Sequence, residues 1–277
     1  MALNLYCGIL MAISFAVLCK GNVRRDRLTV TFGKFSPLPL TARQAVQEGW
    51  KGDANCRNGP SANFFRGNRY VRYDDNTTKI LYDCWGRVAG IQTTIEPTSD
   101  FPTQYNYGPW HRNADGTITA TAYFRNPNRI CSCRCHSKKA PPVGDRLWIQ
   151  LGDITGRKST NKFMVVPLNK KKIANTPWVE GKCVSAMGVH YHYNISKDFD
   201  CNYAFPVFLI ANKYNGDVHG FGWGVPVVVN SPRWEHPAPE LFARSIKEEN
   251  IPSCILKYKA VSVQHIYFVD PLKITCF

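Results

Sequence analysis

Residues 205–223 read FPVFLIANKYNGDVHGFGW, and this stretch decides the expected architecture. Phe205–Asn212 and Val218–Trp223 are β-prone runs on either side of Asn215-Gly216, a dipeptide that supplies the positive φ angles of a two-residue hairpin turn. The same pattern recurs outward in both directions. Lys79–Ile95 (KILYDCWGRVAGIQTTI) reads as two strands around Trp85-Gly86, and Thr117–Phe124 (TITATAYF) follows Asp115-Gly116. Leu28–Phe32, Leu147–Leu151, Phe163–Leu168 and Val261–Val269 complete the series. Short strands at this spacing, punctuated by Gly, Pro and Asn, predict a mostly β chain folded as an antiparallel β-sandwich or barrel-like structure.

Two short helices are expected. Thr41–Gly49 (TARQAVQEG) carries a capping box, Thr41 with Gln44, and ends on a glycine suited to a left-handed cap. Glu240–Glu248 is entered through Pro237 and Pro239.

The start of the chain sets the expected compartment. Leu3–Leu18 is uncharged and mostly apolar, and the chain turns polar and basic directly after it. The run is shorter than the ~20 residues of a spanning helix, so residues 1–19 read as a secretory signal peptide. A single β-rich extracellular domain is expected over 20–277, with no transmembrane anchor after cleavage. Lys138–Gly144 (KKAPPVG) is the candidate point of subdivision.

Nine cysteines follow residue 19: Cys56, Cys84, Cys131, Cys133, Cys135, Cys183, Cys201, Cys254 and Cys276. In an oxidising compartment the expectation is disulfides. Nine is odd, so four bridges leave one sulfur, which allows an intermolecular bridge; the oligomeric state itself is not readable. In Cys131-Ser132-Cys133-Arg134-Cys135 neighbouring cysteines are badly placed to bridge each other, so they should reach different partners. Cys183–Cys201 is the expected local pair.

The formal net charge is +15. Between Arg125 and Lys172 twelve basic residues face only Asp145 and Asp153. Secretion excludes nucleic acid as the partner and leaves anionic glycans, matrix and cell surfaces. The residues expected to meet such a partner are Arg129, Arg134, Lys138, Lys139, Arg157, Lys158, Lys170, Lys171 and Lys172.

Two other function classes stay open. Gly188–Ile195 (GVHYHYNI) places His190 and His192 on one face of a strand, and His219 could join from the hairpin. Such a set can bind Zn or Cu, although nothing in the sequence requires a cofactor. This is the pattern of a secreted metal-dependent enzyme, but without an H-E-x-x-H, and no G-x-S-x-G is present. A membrane-active or toxin-like protein fits the charge, with no amphipathic insertion segment to support it.

Asn76 (Asn76-Thr77-Thr78) and Asn194 (Asn194-Ile195-Ser196) are glycosylation sequons and should face solvent. If the strand continues to Asn194, His190 and His192 share its wet face, with Val189, Tyr191, Tyr193 and Ile195 as the core face. Phe221 and Trp223 in Gly220–Gly224 (GFGWG) read as core residues beside a closely approached backbone.

Overall fold

The computed structural model describes residues 25–56, 64–98, 101, 108–133, 140–152, 154 and 162–277. The expected signal peptide and part of the 138–144 stretch lie outside them. The first two strands are short, β1 (Thr29–Val30) and β2 (Ser36–Pro37). Next come helix α1 (Ala42–Gln47) and the strands β3 (Lys51–Ala54), β4 (Asn68–Arg72), β5 (Asp75–Tyr82), β6 (Val88–Ile95), β7 (Trp110–Arg112) and β8 (Ile118–Tyr123). Helix α2 (Pro127–Ile130), β9 (Trp148–Gln150), β10 (Phe163–Val165) and helix α3 (Lys170–Ile173) lead into β11 (Trp178–Val184). Then follow β12 (Gly188–Tyr193), β13 (Val207–Ala211), β14 (Val218–Val225), helix α4 (Pro239–Ala243) and β15 (Ser262–Tyr267).

The strands form two antiparallel sheets. One runs β10-β9-β8-β6-β5-β4-β3, with β7 added on β8; the other runs β11-β12-β13-β14-β15-β1-β2. One apolar cluster joins them, with Ile80, Tyr82, Ile91 and Phe124 from the first half and Leu209, Phe221, Trp223, Ile266 and Phe268 from the second. Phe124 meets Phe221 and Phe268 edge-on, at 6.3 and 5.2 Å between ring centroids. Phe221 and Trp223 are fully buried, as core residues. Polar contacts also cross between the sheets: Gln264 Nε2 donates to Thr78 Oγ1 at 2.9 Å, and Arg233 pairs with Asp75 at 2.6 Å.

The local expectations carry through in part. Thr41 caps α1 by accepting from the Gln44 backbone N–H, and Gly49 takes a φ of +82°. The second helix is cut short at Ala243, where the chain turns to bury Ala243 and Ile246 against Cys201 and Ile255. The 205–223 hairpin forms with a different turn. Of Asn215 and Gly216 only the glycine adopts positive φ, at +73°. The Asn212 side chain accepts from the Tyr214 and Asn215 N–H groups and organises a longer loop instead of a two-residue turn.

The strands β6, β8, β13 and β15 are buried at every position. At these central strands both faces are therefore covered, whereas β3, β10 and β11 keep exposed positions. On the second sheet the outer face is built around glycine. Gly222 lies opposite Phe208 on one side and His265 on the other. A β-carbon at Gly222 would overlap the Phe208 ring and stand 2.6 Å from the Gln264 carbonyl oxygen. Gly222→Ala should lower stability by about 2–3 kcal/mol through overpacking. Equilibrium urea unfolding checks this, and a loss below ~0.5 kcal/mol would refute the account.

Candidate binding surface and the buried histidines

The histidines are not on a wet face. His190 and His192 are 3% and 7% exposed. They point to the outer face of the second sheet, where α4 and the chain after it cover them. The inference from Asn194 fails because β12 ends at Tyr193. Asn194 adopts a left-handed φ of +52° and turns out of the sheet, so it is exposed while the histidines are not. Tyr191 is core, as expected, so this strand is buried on both faces. Asn76, the other sequon residue, is exposed on β5.

The third histidine gathered beside His190 and His192 is His265 of β15, not His219. His190 stacks on His192 at 6.2 Å between ring centroids and meets His265 edge-on at 5.9 Å. Phe208 fills the space between them, 5.6 Å from His190 and 5.0 Å from His265. His219 stands where the β13–β14 register slips, and its Nε2 lies 2.8 Å from the Met187 carbonyl oxygen, to which it donates. The expected trio His190, His192 and His219 therefore does not form.

Hydrogen bonding sets the role of His192 Nε2. Ser245 Oγ donates to the Phe242 carbonyl at 2.8 Å, so the 3.1 Å contact with His192 Nε2 requires the ring nitrogen to donate. His265 Nδ1 lies 2.6 Å from Glu235 Oε2. Burial holds His192 down to about 4. His190 is pushed well below its ordinary value, first by burial and then by the neighbouring His265 and His192. Phe208 packs among the three rings. Among the described residues no three His, Cys, Asp or Glu side chains are grouped to hold a metal ion.

The cysteines form three bridges among the described residues: Cys56–Cys131, Cys183–Cys276 and Cys201–Cys254. The expected Cys183–Cys201 pair is replaced. Cys183 lies opposite Val189 at the start of β12, whereas Cys201 lies beyond its far end, so the two strands hold them apart. Cys131 reaches a distant partner, as the crowded cluster requires. Cys135 lies outside the described residues.

The basic residues divide. Arg134, Lys138, Lys139, Arg157 and Lys158 fall outside the described residues, and Arg129 is exposed in α2. Arg125, one of the twelve cations, is structural. Its guanidinium donates to the Val88 and Pro142 carbonyls and lies 4.0 Å from the buried Asp83 carboxylate.

Lys170, Lys171 and Lys172 make up most of α3 and are exposed, while the next residue, Ile173, anchors the helix in the core at 1% exposure. The helix is stitched to the 212–217 hairpin loop. Asn169 caps it by accepting from the Lys171 N–H and donates from Nδ2 to Asp217 at 2.6 Å. The Lys170 N–H donates to the Gly216 carbonyl at 2.8 Å. A β-carbon at Gly216 would come 2.6 Å from Lys170 Cβ, so glycine is needed there for the approach as well as the turn. This docking sets the loop that carries exposed Lys213 and Tyr214 against the helix of the lysine triplet, with the Lys213 ammonium donating to the Cys276 carbonyl. Tyr214 is 64% exposed. Lys170 pairs with Glu180 at 2.7 Å. Lys171 and Lys172 make no ion pair among the described residues.

Lys213 and Tyr214 were not expected at this surface. They lie some forty residues from the triplet in sequence, and the only hint was the hairpin loop itself. No helix among the described residues is long and apolar enough to cross a membrane. Compared with protein-family models, curated proteins and solved structures, the chain matches none.

Proposed function

We propose that this chain is a secreted cationic binding module whose α3 and 212–217 loop engage an anionic extracellular partner of the sulfated or sialylated glycan class. The observation that carries the reading is the lysine triplet. Three consecutive cations are held outward on one short helix whose backbone is fixed to the neighbouring hairpin, and two of them make no ion pair among the described residues. Such a helix serves folding poorly, because exposed charges of one sign repel and contribute little to stability. It serves binding well, because its geometry is set before the partner arrives. Tyr214 beside it offers an apolar ring face of the kind on which a sugar can stack. The three disulfides and the exposed sequons are compatible with an extracellular setting.

The test is retention on a heparin-like column. The protein should elute only as salt rises, since binding releases counterions. Replacing Lys170, Lys171 and Lys172 together with Gln should lower the elution salt and reduce the slope of log affinity against log salt by about one per lysine. Stability should stay within ~0.5 kcal/mol. Tyr214→Ala should weaken binding while leaving the slope intact. Unchanged elution of the lysine variant would reject this surface.

A further inference from the structure

Outside the three bridges, the described chain holds two more cysteines, Cys84 and Cys133. Cys84 follows β5 at the turn that leads into β6, and its backbone N–H donates to the Ile130 carbonyl at 3.1 Å. That bond lays the end of α2 against the turn. One residue further, Cys131 leaves for Cys56. Two residues beyond that, Cys133 is left on the same side of the turn, and its thiol neighbours that of Cys84 closely enough to act on it. Cys133 is exposed and Cys84 half-buried. The Cys84 thiol is pushed up to about 12, chiefly by burial and next by the neighbouring Cys133 thiol.

We propose that Cys84 and Cys133 are a disulfide-forming site that closes as the fourth bridge of the mature protein, with Cys133 as the sulfur that meets the oxidant. The oxidant is a protein or glutathione disulfide of the oxidising compartment. The Cys133 thiolate attacks one sulfur of that disulfide and expels the other as a thiolate. Cys84 then gives its proton to solvent and attacks the Cys133 sulfur of the mixed disulfide, expelling the second thiolate. One external disulfide is reduced to two thiols, and the Cys84–Cys133 pair loses two electrons. The division of roles follows from access: Cys133 is reachable, and Cys84 holds its proton too firmly to attack first. The closed bridge would tie the β5–β6 turn to the residue from which the chain enters its basic 134–139 run.

The test is a thiol count on purified protein, alkylated at harvest with iodoacetamide and then digested without reduction. The wild-type fragments carrying Cys56, Cys84 and the Cys131–Cys133 pair should stay linked as one three-peptide cluster with no alkylated sulfur. Recovery of the Cys84 fragment by itself, alkylated, would overturn the proposal. So would a Cys84 link to Cys135. Variants give an independent sign. Cys84→Ser and Cys133→Ser should each raise the count of free thiols by one, because each strands its partner, and the double variant should match wild type. If the pair is unbridged, each single variant lowers the count by one. Intact Cys183–Cys276 and Cys201–Cys254 fragments in every variant certify the fold. Heparin retention is read separately, so failure of the bridge is distinguishable from failure of the binding surface.

Discussion

Replacing Asp75 with Ala should lower the free energy of unfolding by about 3–5 kcal/mol, because it strands a buried guanidinium. Asp75 has no exposed side-chain surface, and Arg233 is 13% exposed. Their 2.6 Å contact links β5 of one sheet to the segment that leads toward β15 of the other. The same carboxylate accepts from Thr77, so its oxygens are shared between a local turn and the inter-sheet contact. Arg233 also lies 5.4 Å over the Trp50 ring and its carbonyl accepts from Gln264. Removing the acid leaves a mostly buried cation over the Trp50 ring, with only the exposed Asp74, already paired with Arg72, to act on it. The double variant Asp75→Ala with Arg233→Met should recover most of the loss, since a buried pair replaced by apolar groups is often close to neutral. Urea unfolding of the set gives the answer. A single variant within ~1 kcal/mol of wild type would show that the contact does not hold the sheets together.

Acidification is the second large effect. His192 is neutral in the folded protein and holds a value of about 4, against about 6.5 for an exposed ring. Between these values the unfolded chain binds a proton that the folded chain does not. Stability contributed by the neutral ring is therefore complete above pH 6.5 and is lost as pH falls toward 4. At pH 4.5 the loss from His192 alone is about 2–3 kcal/mol. His190 is shifted in the same direction and adds to it. The prediction is a difference of differences. The stability gap between pH 7 and pH 4.5 should shrink by about 2 kcal/mol in His192→Gln, whose side-chain N–H can still reach Ser245. An unchanged gap would mean that His192 does not titrate with unfolding.

The strands were legible, and their surroundings were not. Period and turn residues located β5, β6, β8, β13, β14 and β15 because they are local properties of the chain. What covers a strand is not local. Thr94, Thr119, Thr121 and Gln92 are polar strand residues, and all are buried. They are satisfied across strands: Thr94 with Thr119 at 2.8 Å, Gln92 with Thr121 at 2.8 Å, and Tyr123 with Gln150 at 2.8 Å. A polar side chain whose partner sits twenty-odd residues away looks the same in sequence as one facing water. The histidines misled for the same reason. His192 bonds Ser245 and His265 bonds Glu235, both contributed by segments outside the strands that carry the rings, while His190 is simply enclosed. The lysine triplet could be read directly, but Lys213 and Tyr214 joined it only once the Asn169–Asp217 contact was known.

The second sheet is closed by β1, which pairs with β15, and these strands stand at opposite ends of the described chain. Thr29 faces Tyr267, and just upstream the Arg25 guanidinium lies 3.8 Å over the Phe268 ring. During synthesis, Leu28 and Val30 emerge early, yet the strand they must pair with is translated more than two hundred residues later. The four strands β11 to β14 can assemble by successive hairpin neighbours, but the sixth and seventh positions of their sheet, β1 and β2, cannot be filled until β15 has joined and the early segment has been brought across. Closure over so long a stretch of chain is slow by nature. Until it happens the β15 edge is open to strands of other molecules. The protein's exposure to aggregation is thus concentrated in the interval between translation of β15 and capture of β1, the interval in which a folding helper would have the most to protect.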